Sequence, residues 1–168
     1  MSDEMEMRRH RCCFAGHRPE KLTEDEATIK AWLSCQIDDA IHDGFVTFLT
    51  GMAMGIDIWA GMTVLEKKAV VPGLHLIAVT PYPGFPAKWK ENWKEAYDRL
   101  WHGADHRVII SPSFTPDAFE RRNRFLVDHA SRLIAFYNGE EGGTHRLITY
   151  ARESGLACFV HTPSDRNV

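Results

Sequence analysis

The chain has 168 residues, of which 44% are hydrophobic and 26% charged, a balance that fits one ordinary globular domain. Its net charge of −3 and its pI near 6.3 give no global pull toward nucleic acid or an anionic membrane, so neither is expected as a partner. No apolar run approaches the ~20 residues of a membrane helix, and Met1 to Arg11 lack the apolar stretch of a secretory signal. The cytoplasm is the expected compartment.

Taken in order, residues 1–10 read as a disordered segment, 11–162 as a single domain and 163–168 as a polar tail. Arg11 to Ala15 is a short apolar strand. It holds Cys12 and Cys13, which as strand neighbours point to opposite faces and do not readily share a metal. Buried thiols are expected, and no metal or required cofactor. Thr23 and Glu26 have the spacing of a capping box, opening a helix with Ile29, Trp32, Leu33, Ile37 and Ala40 at helical spacing, closed at Gly44. Phe45 to Thr50 is the second strand, followed by a glycine loop and a helix through about Lys68. Leu74 to Thr80 is the third.

Lys88 to His102 reads as a helix whose Trp89, Trp93, Tyr97 and Trp101 form a stripe, suited to core packing or to a homodimer contact. Arg107 to Ser111 is the fourth strand. Thr115 and Pro116 suit the start of a helix to about His129. Arg132 to Tyr137 is the fifth strand, Thr144 to Glu153 a helix stopped by Gly155, and Leu156 to His161 the last strand. The strands are continuous apolar runs rather than alternating ones, as when helices cover both faces. About six such runs alternating with helices imply a Rossmann-like, doubly wound α/β fold with a mostly parallel sheet.

In such sheets the ligand crevice lies outside the carboxyl ends of the strands. Three strand-to-helix loops are unusual there. Gly16-His17-Arg18-Pro19 offers a close backbone approach, a histidine and a planar guanidinium fork suited to phosphate, with a plain turn as the alternative. Gly51-Met52-Ala53-Met54-Gly55-Ile56-Asp57 opens a helix with two glycines. Its free amides would favour an anion, while Asp57 suits either a ribose hydroxyl or the helix dipole. Glu140-Glu141-Gly142-Gly143-Thr144 precedes the last long helix, where the glycines allow close approach and Thr144 offers a hydroxyl. Tyr82 and Trp89 could stack on a base, and Arg121, Arg122 and Asn123 could turn one polar group to the crevice.

These loops, with the segment Arg122-Asn123 to Val127-Asp128, resemble the YpsA family of bacterial proteins over nearly the whole chain, Arg11 to His161. The resemblance places the chain in the SLOG superfamily, beside the DNA-processing protein DprA and the LOG phosphoribohydrolases. It implies a Rossmann-like fold with a nucleotide pocket at the strand ends. LOG enzymes carry a catalytic Glu shortly after the glycine-threonine pair. Here Thr144 is followed by His145, Arg146, Leu147 and Ile148, without a carboxylate.

The expected ligand is a phosphorylated nucleotide of the ADP-ribose, NAD or nucleoside monophosphate class. It would be held by Gly16, His17, Arg18, Gly51, Met52, Gly55, Asp57, Tyr82, Arg122, Asn123, Gly142, Gly143 and Thr144. The alternatives are N-glycosidic hydrolysis of a nucleoside 5′-monophosphate, with Arg122, Glu141 or Asp57 as catalytic candidates, and DprA-like binding of single-stranded DNA.

Overall fold

The computed structural model describes residues 2–163; Met1 and residues 164–168, most of the expected tail, lie outside the described residues. Six apolar runs form the strands β1 (Arg11–Gly16), β2 (Thr47–Thr50), β3 (His75–Thr80), β4 (His106–Ile109), β5 (Arg132–Phe136) and β6 (Ala157–His161). They pair in the order β4-β3-β2-β1-β5-β6, with every paired neighbour parallel. The chain winds outward from β1 to β4, then returns to place β5 on the other side of β1. That reversal makes the gap beyond the ends of β1 and β5 the natural place for a ligand.

Helices α2 (Glu26–His42), α3 (Ile56–Lys68) and α4 (Glu91–Gly103) cover one face, and α5 (Ala118–Asp128) and α6 (Gly143–Glu153) the other. Strand alternation divides the buried side chains between two cores. Cys12, Phe14, Phe48, Leu76 and Phe136 face α2 to α4, whereas Cys13, Ala15, Leu49, Val79 and Leu133 face α5 and α6. The adjacent cysteines therefore lie in opposite cores, as their strand position requires. No helix of the described residues is long and apolar enough to cross a membrane.

Several local expectations are corrected. Residues Asp3–Arg8, expected to be disordered, form a short helix, α1. Its start is capped by the Ser2 hydroxyl, which accepts from the Met5 amide at 3.2 Å. Arg8 donates to the Ala130 carbonyl at 3.2 and 3.3 Å, and Glu4 pairs with Arg11 at 2.8 Å, so polar ties alone hold a helix that buries no residue.

The Thr23–Glu26 box is not formed. Asp25 caps α2 instead, its carboxylate accepting from the Thr28 amide at 2.7 Å. Likewise α5 starts at Ala118 after Asp117, and the Thr115 hydroxyl donates to the Asp117 carboxylate at 2.7 Å. Helix α4 starts at Glu91, leaving Trp89 in the turn before it. The aromatic stripe packs inward: Trp89 meets Tyr97 edge-on at 5.7 Å, Tyr97 stacks on Trp101 at 6.0 Å and Trp93 tilts onto Trp59 at 5.7 Å. Tyr97 is buried, and Trp89, Trp93 and Trp101 are partly buried against the same core.

Candidate functional site

At the β1/β5 reversal a cleft of about 350 Å³ opens, within the range of small-ligand sites. A second hollow of about 570 Å³ lies between α2, α3 and α4 over Trp59 and Trp93. It is larger but sits away from the strand ends, so the smaller cleft is the candidate. Its walls differ in chemistry. Gly142, Gly143 and Thr144 line one part, Arg18 and Lys21 stand at the rim, Asp57, Arg122 and Asn123 belong to the polar wall, and Phe85 and Phe119 are aromatic.

Helix α6 starts at Gly143 behind Gly142, whose φ of 151° favours glycine. No side chain caps it, so the amides of Gly143, Thr144 and His145 have no intrahelical acceptor. A β-carbon on Gly142 would meet nothing within 4 Å, and one on Gly143 only the tip of Arg146 at 3.9 Å. The backbone here is open to a ligand. An uncapped helix start bordering a cleft is suited to an anion.

The β2–α3 loop behaves differently. Gly55 has φ +90°, and a β-carbon there would lie 2.5 Å from the His17 carbonyl oxygen. The Ile56 amide donates to that carbonyl at 3.5 Å, and the Ile58 amide to the Ala53 carbonyl at 3.2 Å. The Thr50 hydroxyl donates to the Asp57 carbonyl at 2.7 Å, and buried Met52 sits at φ 66°. This loop is folded onto itself and onto β1. Of its expected ligand residues only Asp57 reaches the cleft wall, beside Ala53, which was not among them, while Gly51, Met52 and Gly55 do not. Gly16 does line the cleft, yet its lack of a side chain serves packing, since a β-carbon would fall 2.2 Å from Ile56.

Asp57 and Arg122 are the charged pair of the wall, only 6% and 7% exposed. Asp57 Oδ2 accepts from the Ala53 amide at 3.3 Å, while the buried Oδ1 has no hydrogen-bond partner. Burial pushes the Asp57 carboxyl up to about 6, against the opposing pull of Arg122 and of the Ala53 amide. Burial also lowers Arg122, which the neighbouring Asp57 partly offsets. Arg122 donates from Nη1 to the Gly51 carbonyl and from Nε to Asn123 Oδ1 at 2.9 Å. Gly51 makes room for the pair, for a β-carbon would lie 2.9 Å from Asp57 Oδ2 and 3.0 Å from Arg122 Cδ.

His17 is buried, with Nε2 2.7 Å from Asn138 Oδ1. That oxygen also accepts from the Glu140 amide at 2.9 Å, while Asn138 Nδ2 donates to the Lys21 carbonyl at 3.3 Å. The amide's orientation is thereby fixed, so Nε2 carries the proton and Nδ1 is the acceptor of the neutral ring. Desolvation lowers the His17 pKa from 6.5, which keeps the ring neutral at pH 7. It is therefore no cation for phosphate.

Of the remaining candidates, Tyr82 stands behind the aromatic wall, 5.7 Å from Phe85 and 5.9 Å from Phe119. Glu141 is exposed and outside the cleft wall, so the structure does not place it among the catalytic candidates' neighbours Asp57 and Arg122. Sequence reasoning missed Lys21, Phe85 and Phe119. For Phe119 a signal existed: Phe119, Arg122, Asn123 and Leu126 follow the spacing of one helix face, and all four line the cleft.

Comparison with known proteins agrees with this architecture. The UPF0398 protein of Bacillus pumilus is 29% identical over 147 residues, covering 83% of this chain and 79% of that protein. A UPF0398 protein of Bacillus velezensis is 26% identical over 146 residues, with 82% and 80% covered. Among solved structures, DprA of Streptococcus pneumoniae superposes with a TM-score of 0.68 at 19% identity, covering 98% of this chain but 54% of that one. This chain thus spans about half of the Streptococcus protein.

DprA of Helicobacter pylori, a structure concerned with that protein's single-stranded DNA binding mode, gives 0.62 at 17% identity, with 99% and 71% covered. At these identities the likeness shows the fold. The model of the YpsA family, described as the YspA SLOG family, matches residues 12–155, and the chain belongs to that family.

Proposed function

We propose that the cleft binds a phosphorylated nucleotide or nucleotide-derived ligand. The observation that carries the reading is the meeting, on one cleft, of an uncapped helix start and a buried carboxylate oxygen without a partner. Buried polar atoms are nearly always satisfied, so Asp57 Oδ1 calls for a donor that a ligand or water brings. A phosphate meets the amides of Gly143, Thr144 and His145, with Arg18 and Lys21 at the rim. A ribose hydroxyl donates to Asp57, and the base lies against Phe85 and Phe119. Single-stranded nucleic acid offers the same three groups, and the likeness to the Helicobacter pylori protein supports keeping it in the ligand class.

Calorimetry against AMP, GMP, ADP-ribose, NAD, a short single-stranded oligonucleotide and unphosphorylated adenosine tests this. Phosphorylated ligands should bind, adenosine should not, and Gly143→Glu should abolish binding by placing a negative charge at the phosphate position. No response across the panel, or equal binding of adenosine, would sink the proposal.

A second reading, hydrolysis of the N-glycosidic bond of a nucleoside 5′-monophosphate, is favoured by one feature. The cleft wall carries a buried carboxyl with a pKa of about 6, able to take a proton from an attacking water near neutral pH. Chromatography should then detect free base released from AMP, lost in Asp57→Asn while binding persists. Bound but unchanged AMP would leave the binding reading alone standing.

A further inference from the structure

Phe114 is unusual among the described residues for its size and position: it is 60% exposed, in the loop between β4 and α5. Single exposed apolar side chains are common and need no explanation by themselves. This one is mounted. Its ring stands edge-on to Tyr82 at 5.4 Å and to Phe119 at 6.4 Å, and Phe119 belongs to the cleft wall. Tyr82 in turn is edge-on to Phe85 and Phe119, so the aromatic wall of the cleft continues outward, ring by ring, to Phe114.

The loop beneath is held in place. The Ser111 hydroxyl donates to the Ser113 carbonyl at 2.7 Å, and the Ser111 amide to the Pro81 carbonyl at 3.0 Å. Arg121 is tied to the same loop through the Ile110 carbonyl at 3.2 Å, and its exposed guanidinium keeps further donors free for an anion.

We infer that Phe114 is a second stacking position, so that the ligand is two nucleosides joined through phosphate, extended from the 3′ side of the nucleotide in the cleft. The inference rests on the binding reading above. The strand order sets the β5–α6 loop and the β4–α5 loop of Phe114 on opposite sides of the β3–α4 loop that carries Phe85. A ligand with its 5′-phosphate at α6 and its first base at Phe85 therefore reaches Phe114 by extension away from that phosphate, through the 3′-hydroxyl. The 6.4 Å between the Phe114 and Phe119 rings lies within the reach of one sugar–phosphate repeat. Arg121 then stands beside the linking phosphodiester, and the second base stacks on an aromatic face, an interaction indifferent to base identity.

Calorimetry with AMP and with 5′-phosphoadenylyl-(3′→5′)-adenosine tests the inference. Stacking of one base on an aromatic ring corresponds to about a 5- to 150-fold gain in affinity. The dinucleotide should therefore bind tighter than AMP by that order. Phe114→Ala should erase the gain while leaving AMP binding unchanged, and Phe114→Trp should restore it. Diadenosine pyrophosphate, extended through the 5′-phosphate, should show no dependence on Phe114.

Longer 5′-phosphorylated strands identify the source. Affinity that levels off at two residues marks a free dinucleotide, and affinity that climbs with length and falls steeply with salt marks a strand. Equal affinity of AMP and the dinucleotide, or a gain that survives Phe114→Ala, overturns the inference but leaves the cleft proposal intact. Failure of both ligands to bind overturns both.

Discussion

Two glycine-rich turns of this molecule look alike as text and do opposite things. Between β2 and α3, Gly51 and Gly55 let the chain fold against itself: Gly55 lies under the His17 carbonyl, and Gly51 leaves space for Asp57 and Arg122. Between β5 and α6, Gly142 and Gly143 meet almost nothing, and the helix behind them begins without a cap. A glycine removed from contact by packing stabilises the fold, whereas one facing empty space leaves backbone donors accessible. What separates the two is the surroundings of the missing β-carbon, and the family of the fold does not decide it.

The contrast breaks first at the packed glycines. Gly16→Ala drives a methyl to within 2.2–2.6 Å of three Ile56 atoms, and Gly55→Ala combines a contact of 2.5 Å with a φ of +90°. Overpacking of about 1–3 kcal/mol and left-handed strain of about 1–2 kcal/mol put the Gly55 change near 3 kcal/mol or more. Denaturant midpoints measure it. Near-wild-type stability for either variant would mean that the loop relaxes and is not the rigid packing element described. For the same reason a charge at Gly55 is a poor probe of ligand binding, because it would unfold the loop whether or not a phosphate sits there.

The next effect sharpens the boundary between the loops, where Asp57 lies. Its carboxyl rises from 3.8 to about 6 on burial, so the protonated form is favoured in the folded protein. The associated stability is fully present below pH 4 and is lost as pH climbs through about 6, amounting to about 3 kcal/mol. Unfolding free energies of the ligand-free protein should decline by that order between pH 4 and pH 7, and Asp57→Asn should flatten that decline. A ligand that donates to Oδ1 restores stability most at the higher pH. An identical pH profile for wild type and Asp57→Asn would remove the buried carboxylate from the account.

Much of this could be read in the residues. Runs such as Phe45 to Thr50 and Arg132 to Tyr137 lack alternation because both faces of the sheet are covered, and their regular alternation with helices made the parallel architecture, and with it the edge where the loops gather, readable. Helix starts were less legible. Thr23, Glu24 and Asp25 are three successive groups with a capping oxygen, and the carboxylate that reaches the Thr28 amide prevailed.

Along the cleft wall, Arg18, Gly142, Gly143 and Thr144 were legible as members of unusual strand-end loops, but the same signal also picked out Gly51, Met52 and Gly55, which packing uses instead. Phe85 and Phe119 were hidden, because an aromatic residue in a sequence reads first as core. The neutral state of His17 was hidden too, since it depends on Asn138 and Glu140, far along the chain.

The open turn carries the two smaller predictions. Gly143→Glu changes an exposed position with free space around it, so its stability should stay within about 0.5 kcal/mol of wild type even as phosphate binding is lost. That split between folding and binding is unattainable at Gly55.

Gly142→Ala isolates the conformational part alone. Its φ of 151° strains an alanine, but the new methyl meets nothing within 4 Å. The cost should therefore be the strain only, about 1–2 kcal/mol, or about 2–8 °C in melting temperature for a chain of this size. Gly55→Ala must exceed it by the packing contact with the His17 carbonyl. If calorimetric melting shows the two alanine variants equally destabilised, the His17 contact contributes nothing. The β2–α3 loop would then be as open as the β5–α6 loop, and its amides would again be candidates for an anion.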